Sequence, residues 1–102
     1  MKIAKLDAIM KEIAKLYFVA LRNINFQFFN SSDSGYSPFK KYYSDVEFTF
    51  SQLDKEKQTL ITKEYFYDGY RNWWIDLYSP SKFLKLKKNA VKEFVEVFYA
   101  IH

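Results

Sequence analysis

Ser79–Ile101, SPSKFLKLKKNAVKEFVEVFYAI, decides how the chain is read. An apolar stripe runs through it: Phe83, Leu86, Ala90, Phe94, Val97 and Ile101, flanked by Leu84, Val91, Val95 and Phe98. Spacings of three and four put such residues on one side of a helix. The hydroxyls of Ser79 and Ser81 can cap that helix, and Pro80 suits its first turn, where a missing N–H is tolerated. Lys85, Lys88 and Lys92 fall on the opposite side, with Lys82 and Asn89 nearby. Lys87 falls on the apolar side, from which its ammonium would reach water along the stem. Between Ser79 and Lys92 there are five lysines and no acid; Glu93 and Glu96 follow, so positive charge collects on the N-terminal half.

Arg71–Leu77, carrying Trp73, Trp74, Ile75 and Leu77, reads as a short helix broken by Ser79-Pro80-Ser81. A short helix, a tight turn and a long basic helix form the layout of a helix-turn-helix reader of DNA. Further upstream, Ser51 reads as an N-cap with Asp54 three residues on, and Leu53, Leu60, Ile61 and Tyr65 form an inner face. Asp68-Gly69 reads as its stop. In Phe39–Phe50, Phe39, Tyr42, Tyr43 and Val46 have helical spacing while Val46, Phe48 and Phe50 alternate. With no second strand to pair, the expectation is a short helix followed by an extended joint. Asn30 to Pro38 reads as a loop.

Residues 2–29 read as one long amphipathic helix. Ile3, Leu6, Met10, Ile13, Tyr17, Ala20 and Ile24 alternate spacings of three and four, a heptad seam. Ile9, Leu16 and Leu21 widen the stripe, which suits a helix packed inside a domain. The same seam, through Ile3, Leu6, Met10, Ile13 and Tyr17, is also a candidate dimer or partner surface.

The chain has 102 residues, 22% of them aromatic, with only two Gly and two Pro. That composition suits a single all-α domain spanning 1–102 with an aromatic-rich core, and disfavours a turn-rich sandwich or barrel. The net charge of +4 permits a polyanionic partner without requiring one. Charged residues through the first thirty positions interrupt any signal-peptide core or membrane span, so the expectation is a cytoplasmic protein with no membrane partner. There is no cysteine, and His102 is the one histidine. No nucleophile–base pair, metal-ligand cluster or glycine-rich phosphate loop is visible, and Asp45/Glu47 and Asp54/Glu56 sit two apart, off a common helix face. An enzyme is not expected, nor a cofactor or metal.

A major-groove helix needs an exposed, donor-rich N-terminal half, an apolar anchor face and a bracing helix before it. Ser79, Ser81, Lys82, Lys85 and Asn89 are the candidate base-edge residues; Lys88, Lys92 and Arg71 are the candidate phosphate contacts.

The helix with Leu53, Leu60, Ile61 and Tyr65, then Tyr67-Asp68-Gly69, the Trp-containing segment and Tyr78-Ser79-Pro80-Ser81-Lys82-Phe83, with Ala90 and Phe94 after, carries a resemblance. Residues 51–98 resemble the C-terminal DNA-binding region of bacterial sigma factors (region 4). They are more similar still to phage ArpU-type regulators and small mycoplasma proteins with this tail. The resemblance implies a helix-turn-helix over 51–101, double-stranded DNA and RNA polymerase as partners, Ser79 opening the recognition helix, groove-facing Ser81, Lys82 and Lys85, and Lys88 on phosphate. Trp73 stands where these families keep a small residue, and Asp76 where they keep an apolar one. The N-terminal fifty residues match no sigma region, so the implied role is a small transcription regulator. The alternatives are a protein-interaction module that touches RNA polymerase, and a homodimerising helical protein without DNA binding.

Overall fold

A computed structural model describes residues 2–30, 38–67 and 71–102. Among these there is no strand: α1 (Ile3–Asn30), α2 (Pro38–Ser51) and α3 (Lys55–Ile61) are followed by a π-helical segment (Thr62–Phe66) and α4 (Pro80–Ile101). The expected all-α class is what the structure has. The loop expected over Asn30 to Pro38 and the stop at Asp68-Gly69 fall largely outside the described residues.

The long first helix follows from thirty residues without glycine or proline and a continuous apolar stripe. Leu6, Met10, Ile13 and Ala20 are buried, and Ile3 and Tyr17 half-buried. The seam therefore faces the core of its own chain. Of the residues named for a dimer surface, Leu6, Met10 and Ile13 lie in this core and Tyr17 packs against it, with α1 set on α2 and α4.

Phe39–Phe50 does not divide into helix and joint; α2 is continuous, with Pro38 as its first residue. Val46, Thr49 and Leu53 are buried and Tyr42 is packed against the core. That is a four-three-four spacing, and it outweighs the alternation, which left Phe48 50% exposed. Thr49, buried and polar, donates its hydroxyl to the Asp45 carbonyl at 2.7 Å. Ser51 closes α2 rather than opening α3: its hydroxyl bonds Phe48 O at 2.6 Å. Asp54 is the cap, extended at φ −69°, ψ 167°, and it accepts from Lys57 N at 2.9 Å. A carboxylate there satisfies a free N–H and also meets the positive helix end.

Arg71–Leu77 is a run of turns and not a helix. Ile75 N bonds Asn72 O at 3.1 Å, and both Leu77 N and Tyr78 N bond Trp74 O at 2.9 Å. Both tryptophans of this run pack on one ring. The Trp74 ring stacks on Phe83 (4.4 Å, 5°) while Trp73 meets the same ring edge-on (5.9 Å, 82°). The price of this arrangement is outward-facing Ile75 and Leu77. Among the described residues, no helix lies between Phe66 and Pro80, so the short helix expected at Arg71–Leu77 ahead of α4 is replaced by turns.

The last helix is the centre of the core. Phe83, Ala90, Val91, Phe94, Val95 and Phe98 are its buried face, packed on α1, α2 and α3. This face is rotated from the expected one: Leu86 and Val97 are half-buried and Ile101 is exposed. Its far end is fixed to α2, where His102 Nδ1 lies 2.8 Å from Asp45 Oδ2 and the imidazole stacks on Phe98. Lys41 also reaches Asp45, at 2.6 Å; burial would raise the Asp45 pKa, but these two partners hold it below the ordinary value.

Candidate nucleic-acid interface

The start of α4 is built as its sequence suggests. Ser79 is the N-cap, extended at φ −69°, ψ 158°, with Pro80 in the first turn. Its Oγ accepts from Lys82 N at 3.3 Å and its carbonyl from Phe83 N at 2.9 Å. The Ser79 hydroxyl is thus occupied in capping, and among the candidate base-edge groups it is the one already engaged.

Lys82, Lys85, Lys88, Asn89 and Lys92 are all exposed. Among the described residues, none of these side chains takes part in a salt bridge or a hydrogen bond. Ser81 is exposed beside them. The first turn of α4 holds no acid, so the positive helix end adds to the ammonium field. One rim carries negative charge. Glu56 of α3 accepts from the Tyr78 hydroxyl at 2.8 Å, and the two share a groove of about 380 Å³ with Lys82, Lys85, Leu86 and Asn89. The Tyr78 pKa is raised by that hydrogen bond, then by burial. Further along, Glu93 is taken by Lys57 at 2.5 Å. The Lys57 pKa is raised by this bond.

Lys87 and the candidate Arg71 lie elsewhere. Lys87 does not reach out to water. Its ammonium is 3.3 Å from Asp7 Oδ1 of α1 and 3.1 Å from Glu64 Oε2 of the π-helical segment, over the Tyr65 ring. Arg71 is exposed but lines a separate cleft with Asp7, Glu64 and Lys87. It is not part of the lysine row.

The cluster around Lys87 went unread in the sequence. Tyr65 donates to Asp7 Oδ1 at 2.6 Å, Lys11 pairs with Asp7 Oδ2 at 3.0 Å, and Trp73 Nε1 donates to Glu64 Oε1 at 2.8 Å. Burial would raise the Asp7 pKa, but the bonds from Tyr65 and Lys11 and the charge of Lys87 outweigh it and hold the pKa below 3.8. The same burial and the same carboxylate push the Tyr65 hydroxyl far up. The one signal for this cluster was Lys87 itself, a cation on an apolar face. The π-helical turn that carries Glu64 and Tyr65 left no such mark; π-turns often sit at functional places.

Among the described residues, no group of three or more His, Asp or Glu side chains could hold a metal ion, and no helix is long and apolar enough to cross a membrane. No family model, no curated protein and no solved structure matches the chain.

Proposed function

We propose that the chain binds double-stranded DNA through the outer face of α4 and acts as a small transcription regulator. One observation carries the reading: four lysines, Lys82, Lys85, Lys88 and Lys92, stand exposed on one helix face with no acid taking their charge. No carboxylate stands three or four residues from Lys82, Lys85 or Lys88; of the acids beside Lys92, Glu93 is paired with Lys57, and Glu96, four residues on, forms no ion pair among the described residues. The row is about 15 Å long, a length over which a duplex presents about nine phosphates. Four ammonium groups suffice for salt-sensitive binding and leave Asn89 and Ser81 to meet base edges. Because turns precede α4, its approach to the groove is braced by the Trp74–Phe83 stack and not by a helix.

A second reading has its own support. Leu16, Phe18 and Phe48 are exposed, and an open cavity of about 260 Å³ lies between Tyr17, Phe18, Leu21, Phe50 and Phe66. An apolar surface of this kind favours a protein partner, which is the interaction-module alternative, RNA polymerase included.

Fluorescence anisotropy with a random duplex at low and high salt tests the proposal. Salt-sensitive binding, abolished when Lys82, Lys85 and Lys88 are changed together to Glu, is the expected result. Absent or salt-insensitive binding by the folded protein overturns it and favours the protein partner.

A further inference from the structure

We infer that the cleft between α1, the π-helical segment and the 71–77 turns is a nucleotide-binding site. This goes beyond the DNA reading and does not rest on it, since the cleft shares no residue with the α4 lysine row. Its volume is about 480 Å³, within the roughly 300–1,000 Å³ common for small-molecule sites.

The charge of the lining is the first argument. Lys11, Lys63, Arg71 and Lys87 stand against Asp7 and Glu64, four cations to two carboxylates. The second argument is hydrogen-bonding capacity. All four carboxylate oxygens are already engaged: Asp7 Oδ1 by Tyr65 and Lys87, Asp7 Oδ2 by Lys11, Glu64 Oε1 by Trp73 and Glu64 Oε2 by Lys87. The donors are not used up. Arg71 has no hydrogen-bond or ion-pair partner among the described residues, and the Lys63 ammonium has only the Trp73 ring, 5.2 Å from its centroid. Asn72 adds an amide. A cleft whose carboxylates are already paired and whose cationic donors are partly free takes an acceptor-rich anion, and the planar guanidinium fork of Arg71 matches a phosphate.

The aromatic wall narrows the class further. Trp74 and the exposed Tyr67 also line the cleft. Phe83 covers one face of Trp74, which holds the indole rigid. A ligand that joins a phosphate to a flat ring uses both features, with its phosphate on Arg71 and Lys63 and its base against Trp74 and Tyr67. Stacking of bases on such side chains tolerates any base. The specificity of the site is therefore for the phosphate and the presence of a ring.

The experiment is calorimetric titration of the intact chain with AMP, adenosine and inorganic phosphate, repeated as quenching of Trp73 and Trp74, the chain's two tryptophans. AMP is expected to bind at least tenfold more tightly than either adenosine or phosphate and to quench the fluorescence. R71A is expected to weaken AMP by about tenfold, the usual scale for losing a charge-assisted bidentate pair, and R71K to fall between. Arg71 and Lys63 are exposed and outside the core, so R71A and K63A keep the fold, which circular dichroism checks. The triple Glu variant of Lys82, Lys85 and Lys88 is expected to lose duplex binding and keep AMP, which separates this inference from the DNA reading. No AMP binding at millimolar concentration overturns the inference. So does AMP binding that survives R71A combined with K63A, or that disappears only in the triple Glu variant.

Discussion

Lys87 and Lys88 are sequence neighbours with opposite assignments: the Lys87 ammonium lies 3.3 Å from Asp7 and 3.1 Å from Glu64, while Lys88 is exposed and forms no ion pair among the described residues. One turn of α4 thus divides its positive charge between a neutralised internal cluster and an open outer face. The two lysines are separable by experiment.

Lys87→Met is expected to lower stability by about 1–3 kcal/mol, because Asp7 and Glu64 would keep their charge without their shared partner. Lys88→Met is expected to stay within about 0.5 kcal/mol. Urea unfolding followed by circular dichroism reads the difference. Equal losses in the two variants would show that the internal ion pairs of Lys87 contribute nothing.

The Asp7 cluster sets an acid limit on stability. Its pKa in the folded chain is below the ordinary 3.8. A depressed carboxylate contributes stability that is complete above its unfolded pKa and is lost as pH falls through the folded one. The stability advantage of the wild type over Asp7→Asn is therefore expected to be constant near neutral pH and to shrink below pH 3.8. An advantage that grows on acidification would contradict the cluster geometry.

Capping distinguishes the observed register of α3 from the alternative. Asp54→Ala is expected to cost about 1 kcal/mol, the usual loss for an N-cap. Ser51→Ala is expected to cost only a few tenths, since its hydroxyl bonds within the last turn of α2. Thermal melts of the two variants rank them directly.

On the DNA reading, four phosphate contacts give a slope of log affinity against log salt near −3.6. Replacing Lys88 alone by Ala is expected to make the slope shallower by about 0.9, while Lys87→Met is expected to leave it unchanged. A slope insensitive to Lys88 and shifted by Lys87 would place the contact surface elsewhere.

Much of the architecture was legible from periodicity. The heptad spacing from Ile3 to Ile24 and the stripe from Phe83 onward each specify a helix, because only a 3.6-residue repeat gathers such positions on one side. Ser79 and Pro80 marked the start of α4 to the residue. The exposed lysine row was legible too, since charges opposite an apolar stripe must face outward. Short segments were not. At Phe39–Phe50 two periods competed over a dozen residues, and burial of Val46, Thr49 and Leu53 decided between them.

What the sequence by itself determined is the class of structure and the side of α4 that carries charge; both follow from local repeats in a chain with few glycines and prolines. Only the tertiary structure decided that Leu6, Met10 and Ile13 of the α1 seam enter the core of their own chain, that 71–77 forms turns with Trp73 and Trp74 on Phe83, and that Lys87 meets Asp7 and Glu64. These depend on contacts between residues as far apart as Asp7 and Lys87, whose pairing is selected by packing and by the need to neutralise a half-buried charge. No local pattern encodes such a pairing.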